Sequence, residues 1–139
     1  MAITEIMARI IAELEEFREE NVCALINTVQ PRSGSDAELV QFSDALAMLL
    51  NQGYAELVAT YSSDGALGAC SEPEARQVVE RLRSELQYDP NEKNWKWRTY
   101  HLPLRRDQVQ IPLVSVTDSG LDEARRFLND RGYRWWVLK

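Results

Sequence analysis

Lys93, Lys96, Arg98, Arg105 and Arg106 lie between positions 93 and 106 with no acid among them, and Trp95, Trp97 and Tyr100 are interleaved with them. Cations spaced among flat rings suit a phosphodiester strand. The ammonium and guanidinium groups neutralise phosphates while the rings stack on bases. The alternation has a second explanation. A strand buried on one face puts Trp95 and Trp97 on one side and Lys96 and Arg98 on the other, so the tryptophans are core and the cations are its wet face. The stretch carries +5 in a chain of net charge −6, which leaves −11 on everything else.

Other chemistry is sparse. His101 is the single histidine, and Cys70 is the one nucleophile it could be matched with; no flanking pattern joins them. Cys23 and Cys70 are far apart and form no CxxC, so a structural zinc site lacks ligands and two reduced cysteines at or near the core are expected. Gly65 and Gly68 do not have the spacing of a dinucleotide fingerprint or a P-loop, and the carboxylates form no EF-hand loop or helical ExxH pair. The expectation is a chain without catalytic residues, metal or cofactor.

A chain of 139 residues, 45% apolar and 27% charged, has the size and balance of one globular domain spanning 1–139. Its longest apolar run, Ala45 to Leu50, is far too short for a membrane span. The first residues carry no basic segment ahead of an apolar one, so a cytoplasmic location is expected, with no membrane partner.

The elements follow from periodicity. Ile3, Met7, Ile10, Leu14 and Phe17 are spaced four, three, four, three, and the apolar pattern continues through Val22, Leu25, Ile26 and Val29. This predicts a long N-terminal helix over 3–29, packed on its own domain or acting as a dimerising seam. Pro31 and Gly34 end it. Ser35-Asp36-Ala37-Glu38 is a capping box opening a helix that buries Leu39, Phe42, Leu46 and Leu49, and Gly53 closes it. A strand over 54–61 and a loop over 62–69 follow. A second capping box, Ser71 to Glu74, opens a third helix that Tyr88-Asp89-Pro90-Asn91 stops. Strands over 95–104 and 108–117 would pair as a hairpin. Ser119 to Asp122 caps a last helix burying Leu121, Ala124, Phe127 and Leu128. Gly132 ends it, and 133–138 returns as a strand. There, Trp135 and Trp136 would point to opposite faces, one buried and the other covered by the N-terminal helix or by a partner.

Two segments carry a family resemblance: Leu46-Ala47-Met48-Leu49-Leu50-Asn51-Gln52-Gly53-Tyr54, and Val116-Thr117-Asp118-Ser119-Gly120. The first is similar to the end of the recognition helix in winged helix-turn-helix regulators. The second is similar to the point where the last wing strand enters a final helix. Over about 22–128 the order of elements resembles that family, with a helix inserted at 73–87. The resemblance implies an α+β, winged-helix-like fold of three to four helices with a small antiparallel sheet. It also implies a nucleic-acid-binding regulator that often dimerises, here through Ile3, Met7, Ile10, Leu14 and Phe17.

Charge decides how such a domain would bind. From Ser33 to Ala75 there is no lysine or arginine, while Asp36, Glu38, Asp44, Glu56, Asp64, Glu72 and Glu74 fall in that interval. Gln41, Ser43, Asn51 or Gln52 could read bases, but nothing cationic would hold that helix to phosphates. DNA or RNA contact is therefore expected from Lys93, Lys96, Arg98, Arg105 and Arg106. The alternative is a protein-interaction module on the same scaffold, whose acidic surface from Asp36 to Glu74 faces a basic partner.

Overall fold

The structure is a computed structural model that describes residues 3–59, 68–69, 72–98 and 111–137. In chain order its elements are α1 (Glu5–Phe17), β1 (Glu19–Asn21), α2 (Val22–Val29), α3 (Asp36–Asn51), β2 (Ala55–Ala59) and β3 (Gly68–Ala69). They continue with α4 (Glu72–Glu85), β4 (Leu86–Asp89), β5 (Asn94–Trp97), β6 (Leu113–Val116) and α5 (Asp118–Arg131). Five helices and a small antiparallel sheet among the described residues make a mixed α/β chain, compatible with the α+β class. The sheet runs β1-β6-β2-β3, and β4 and β5 form a separate hairpin.

The helix expected over 3–29 is two helices. Thr4 caps α1 by accepting the Met7 N–H. At Arg18 the backbone turns left-handed, with φ +69°, and its N–H closes on the Leu14 carbonyl. The next three residues extend to pair with β6, Glu20 opposite Val114. Asn21 then restarts the helix by accepting the Ala24 N–H at 2.8 Å. Sheet pairing overrides helical periodicity here because β6 would otherwise leave a row of backbone groups unpaired.

The heptad-like stripe is core. Met7, Ile10 and Leu14 are fully buried against Leu25, Ile26, Phe42, Leu46 and Leu49. Ile3 is partly buried, and of the expected dimer seam only Phe17 is exposed. Those side chains cannot also serve as a surface seam, since exposing them would cost roughly 2 kcal/mol each.

The two segments that carry the resemblance meet in space. Gly53, with φ +76°, turns the chain out of α3 into β2. Thr117 Oγ1 donates to the Gly53 carbonyl at 2.6 Å, and the Thr117 N–H donates to the Tyr54 carbonyl. The same hydroxyl accepts the Gly120 N–H, so Thr117, rather than Ser119, is the N-cap of α5. A Cβ at Gly120 would sit inside the Tyr54 carbonyl oxygen, so only glycine lets α5 dock here. Thr117 and Gly120 thus fasten the end of α3 to the start of α5.

Of the expected hairpin of 95–104 with 108–117, residues 99–110 lie outside the described residues, and the described ends pair elsewhere. β5 pairs with β4, Trp95 opposite Tyr88, while β6 pairs with β1 and β2. Tyr88-Asp89 therefore belongs to a strand, and α4 already ends at Glu85. Asp89 makes the turn by accepting the N–H groups of Asn91 and Glu92. The Asn27 side chain stands in for a strand neighbour, accepting the Trp95 N–H at 2.7 Å and donating to the Trp95 carbonyl at 2.8 Å. Tyr88 covers Gly34 and donates its hydroxyl to the Arg32 carbonyl, so the hairpin clamps the turn between α2 and α3.

Two expected loops and strands change as well. Gly68 and Ala69, expected in a loop, pair with Ala59 and Val58. The strand expected over 133–138 is a set of turns from 133 to 137. Trp135 and Trp136 pack edge-on at 4.8 Å, one donating to Glu5 and the other to the Thr28 carbonyl, so both indoles are satisfied within the chain.

Candidate interaction surface

The basic stretch does not form a stacking platform among the described residues. Trp95 and Trp97 are each 4% exposed and belong to the core. Lys96 is held by Asp89 at 3.0 Å and Glu92 at 2.9 Å. The Glu92 carboxylate, then Asp89, pushes the Lys96 ammonium above its usual range, so it is a paired cation. Lys93 sits in the hairpin turn with φ +56°, and Lys93 and Arg98 are exposed. Arg105, Arg106, Tyr100, His101 and Cys70 lie outside the described residues, as do Ser71 and most of the 62–69 loop.

The capping box at α3 is half as expected. Ser35 accepts the Glu38 N–H at 3.3 Å. The Glu38 carboxylate does not reach back to Ser35. It accepts the Ser33 N–H and hydroxyl, and the Trp95 indole N–H at 3.3 Å. Burial pushes its acidity down, yet the donors from Ser33 and Trp95 outweigh that and hold the carboxyl below the usual range. Glu38 is thus a structural carboxylate joining the helix turn to the hairpin.

A groove of about 900 Å³ opens between α3, β2 and α4. Ala47, Met48, Leu57 and Val79 line it, and Glu56 and Glu80 stand at its edges. Arg83 bridges from α4 to Asp44 on α3 at 3.0 Å. Ser43 is 3% exposed and lines this groove beside α4, off the open face that would meet bases, whereas Gln41 and Asn51 remain exposed. Toward its N-terminal half α3 keeps an open face of Asp36, Ala37, Val40 and Gln41. The acidic interval without cations points to Asp36, Asp44 and Glu56. Arg76, Glu80 and Arg83 come from a helix whose docking on α3 has no local sequence signal.

Elsewhere the titratable groups serve the fold. Glu13, 1% exposed, accepts two hydrogen bonds from the Arg134 guanidinium, at 3.0 and 2.6 Å. Glu20 is half-buried, and burial, then the nearby Glu13 charge, pushes its carboxyl up to about 7 against the pull of Arg134. Burial likewise pushes the Cys23 thiol up to about 12, so it is an unreactive core-side thiol. Among the described residues no group of three or more His, Cys, Asp or Glu is arranged to hold a metal, and no helix is long and apolar enough to cross a membrane. Comparison with known protein families, curated proteins and solved structures finds no match.

Proposed function

We propose that this chain is a non-catalytic protein-interaction module on a winged-helix-type scaffold, one that does not lay α3 into nucleic acid. Three features support the scaffold. The order runs α1, then the α2–α3 pair joined by a short turn, then the antiparallel β2–β6 pair. The hairpin and α4 are an insertion between β2 and β6. The Gly53–Thr117–Gly120 fastening occupies the two segments that resemble the family.

One observation carries the choice of partner. The helix that would read a groove of DNA has α4 packed along it and fastened by Arg83–Asp44, and its remaining open face presents Asp36, Val40 and Gln41 with no cation. Phosphate repels such a face. A protein segment bearing lysine or arginine beside an apolar side chain suits it, the cation meeting Asp36 and the apolar group meeting Val40, which is 36% exposed. A display library of Lys- and Arg-bearing peptides should give binders whose affinity falls at least about tenfold when Asp36→Lys and Val40→Ser are combined. Binders indifferent to both changes would remove this face from the proposal.

A further inference from the structure

We propose that the groove between α3, β2 and α4 is a binding site for a small amphipathic amine: an apolar, ring-sized body carrying one ammonium group. This goes beyond the interaction face, which lies on the other half of α3. The cavity's volume of about 900 Å³ lies in the range that encloses drug-sized molecules. Leu57 and Val79 form its buried apolar floor, while Ala47, Met48 and Ala75 keep apolar surface that gains by excluding water.

The polar groups choose the charge of the occupant. Arg83 is tied to Asp44 at 3.0 Å, and Arg76 has a partner of its own, so neither guanidinium is in wait for an anion. Glu56 and Glu80 are exposed and have no ion-pair partner among the described residues. An anionic ligand would meet those two carboxylates; an ammonium ion would be attracted to both. Ser43 adds a second, independent sign. It lines the cavity at 3% exposure, and its hydroxyl has no hydrogen-bond partner among the described residues. The hydroxyl oxygen opens to the groove, where a ligand N–H or hydroxyl would take the place of water.

Tryptamine is a suitable probe, with indole-3-propionate and 3-methylindole as the acidic and neutral matches of the same ring. Titrated into the ¹⁵N-labelled full chain, tryptamine should shift amides of 43–51, 55–57 and 75–83 with a Kd on the order of 0.1 mM. Indole-3-propionate should bind at least about tenfold more weakly. The double change Glu56→Gln and Glu80→Gln should bring tryptamine down to the level of 3-methylindole. Ala47→Trp, at an exposed position that keeps the fold, should block all three. Equal binding of amine and acid would overturn the proposal, as would tryptamine binding unchanged in the double variant or in Ala47→Trp. So would the absence of shifts at millimolar probe.

Discussion

Along α1, Glu5, Glu13 and Glu16 each meet a partner from the end of the chain: Arg131 and Trp135, Arg134, and Tyr133. Around α3, Asp36, Glu56 and Glu80 have no such partners among the described residues. Both sets look alike in sequence, as acids on the polar face of an amphipathic helix or strand. The first set is a clasp. At Glu5, burial raises the carboxyl's affinity for protons, but the hydrogen bonds from Trp135, Arg131 and Arg9 outweigh it and hold the carboxyl below its ordinary value. The second set leaves negative charge facing solvent and the groove. An acidic total therefore says little about partners until its structural share is removed; what remains among the described residues is Asp36, Glu56 and Glu80 around α3, together with Glu19 on β1 and Asp118, Asp122 and Asp130 on α5.

The clasp and the Glu38 network carry the largest expected losses of stability. Glu13→Gln leaves the Arg134 guanidinium without its charged partner and should cost about 2 kcal/mol in urea unfolding. That is below the figure for a fully enclosed pair because the Arg134 side chain is 36% exposed. Glu38→Gln should cost about 1 kcal/mol at neutral pH, since it weakens charge-assisted bonds from Ser33 and Trp95. Its folded carboxyl sits below the unfolded value. The wild type therefore loses this contribution as pH falls through the folded value, and the variant lacks that slope.

Glu20→Gln has the opposite sign. The folded carboxyl holds its proton to about 7 while the unfolded one releases it near 4.5, so wild-type stability falls as pH rises between those values. The variant should match the wild type at pH 4 and exceed it by about 1 kcal/mol at pH 8, a figure reduced because the group is only half-buried. On the α3 side, Asp36→Asn, Glu56→Gln and Glu80→Gln should each move stability by less than about 0.5 kcal/mol. A larger loss at any of these would place it with the clasp.

Much of the architecture was legible because caps and glycines act locally. Ser35, Gly53 and Gly132 mark helix ends where Ser35 accepts the Glu38 N–H and the two glycines take positive φ. The acidic character of α3 was equally plain. What periodicity could not give was pairing. Nothing in Glu19-Glu20-Asn21 announces a strand; its extension depends on β6, nearly a hundred residues on. Trp95 and Trp97 alternate as a buried strand must, but whether that strand pairs with 86–89 or with the segment after Pro112 is a tertiary choice. It is fixed by Asn27 and Glu38 receiving Trp95. The groove was the least legible part, because α4 reaches α3 across an interval that carries no local signal for docking.

Titration of fluorescently labelled duplex DNA, single-stranded DNA and RNA at low salt decides whether this chain is a protein-interaction module or a nucleic-acid binder. No saturable anisotropy change is expected from any of the three up to about 100 μM chain, weaker than ordinary non-specific binding. Saturable, salt-sensitive binding would overturn the interaction-module reading. If that binding fell in Gln41→Ala or Asn51→Ala, α3 itself would be the reader. If it fell only in the Arg105→Ala, Arg106→Ala double variant, the cationic stretch of Lys93, Lys96, Arg98, Arg105 and Arg106 would be the contact, and the chain would be a nucleic-acid binder after all.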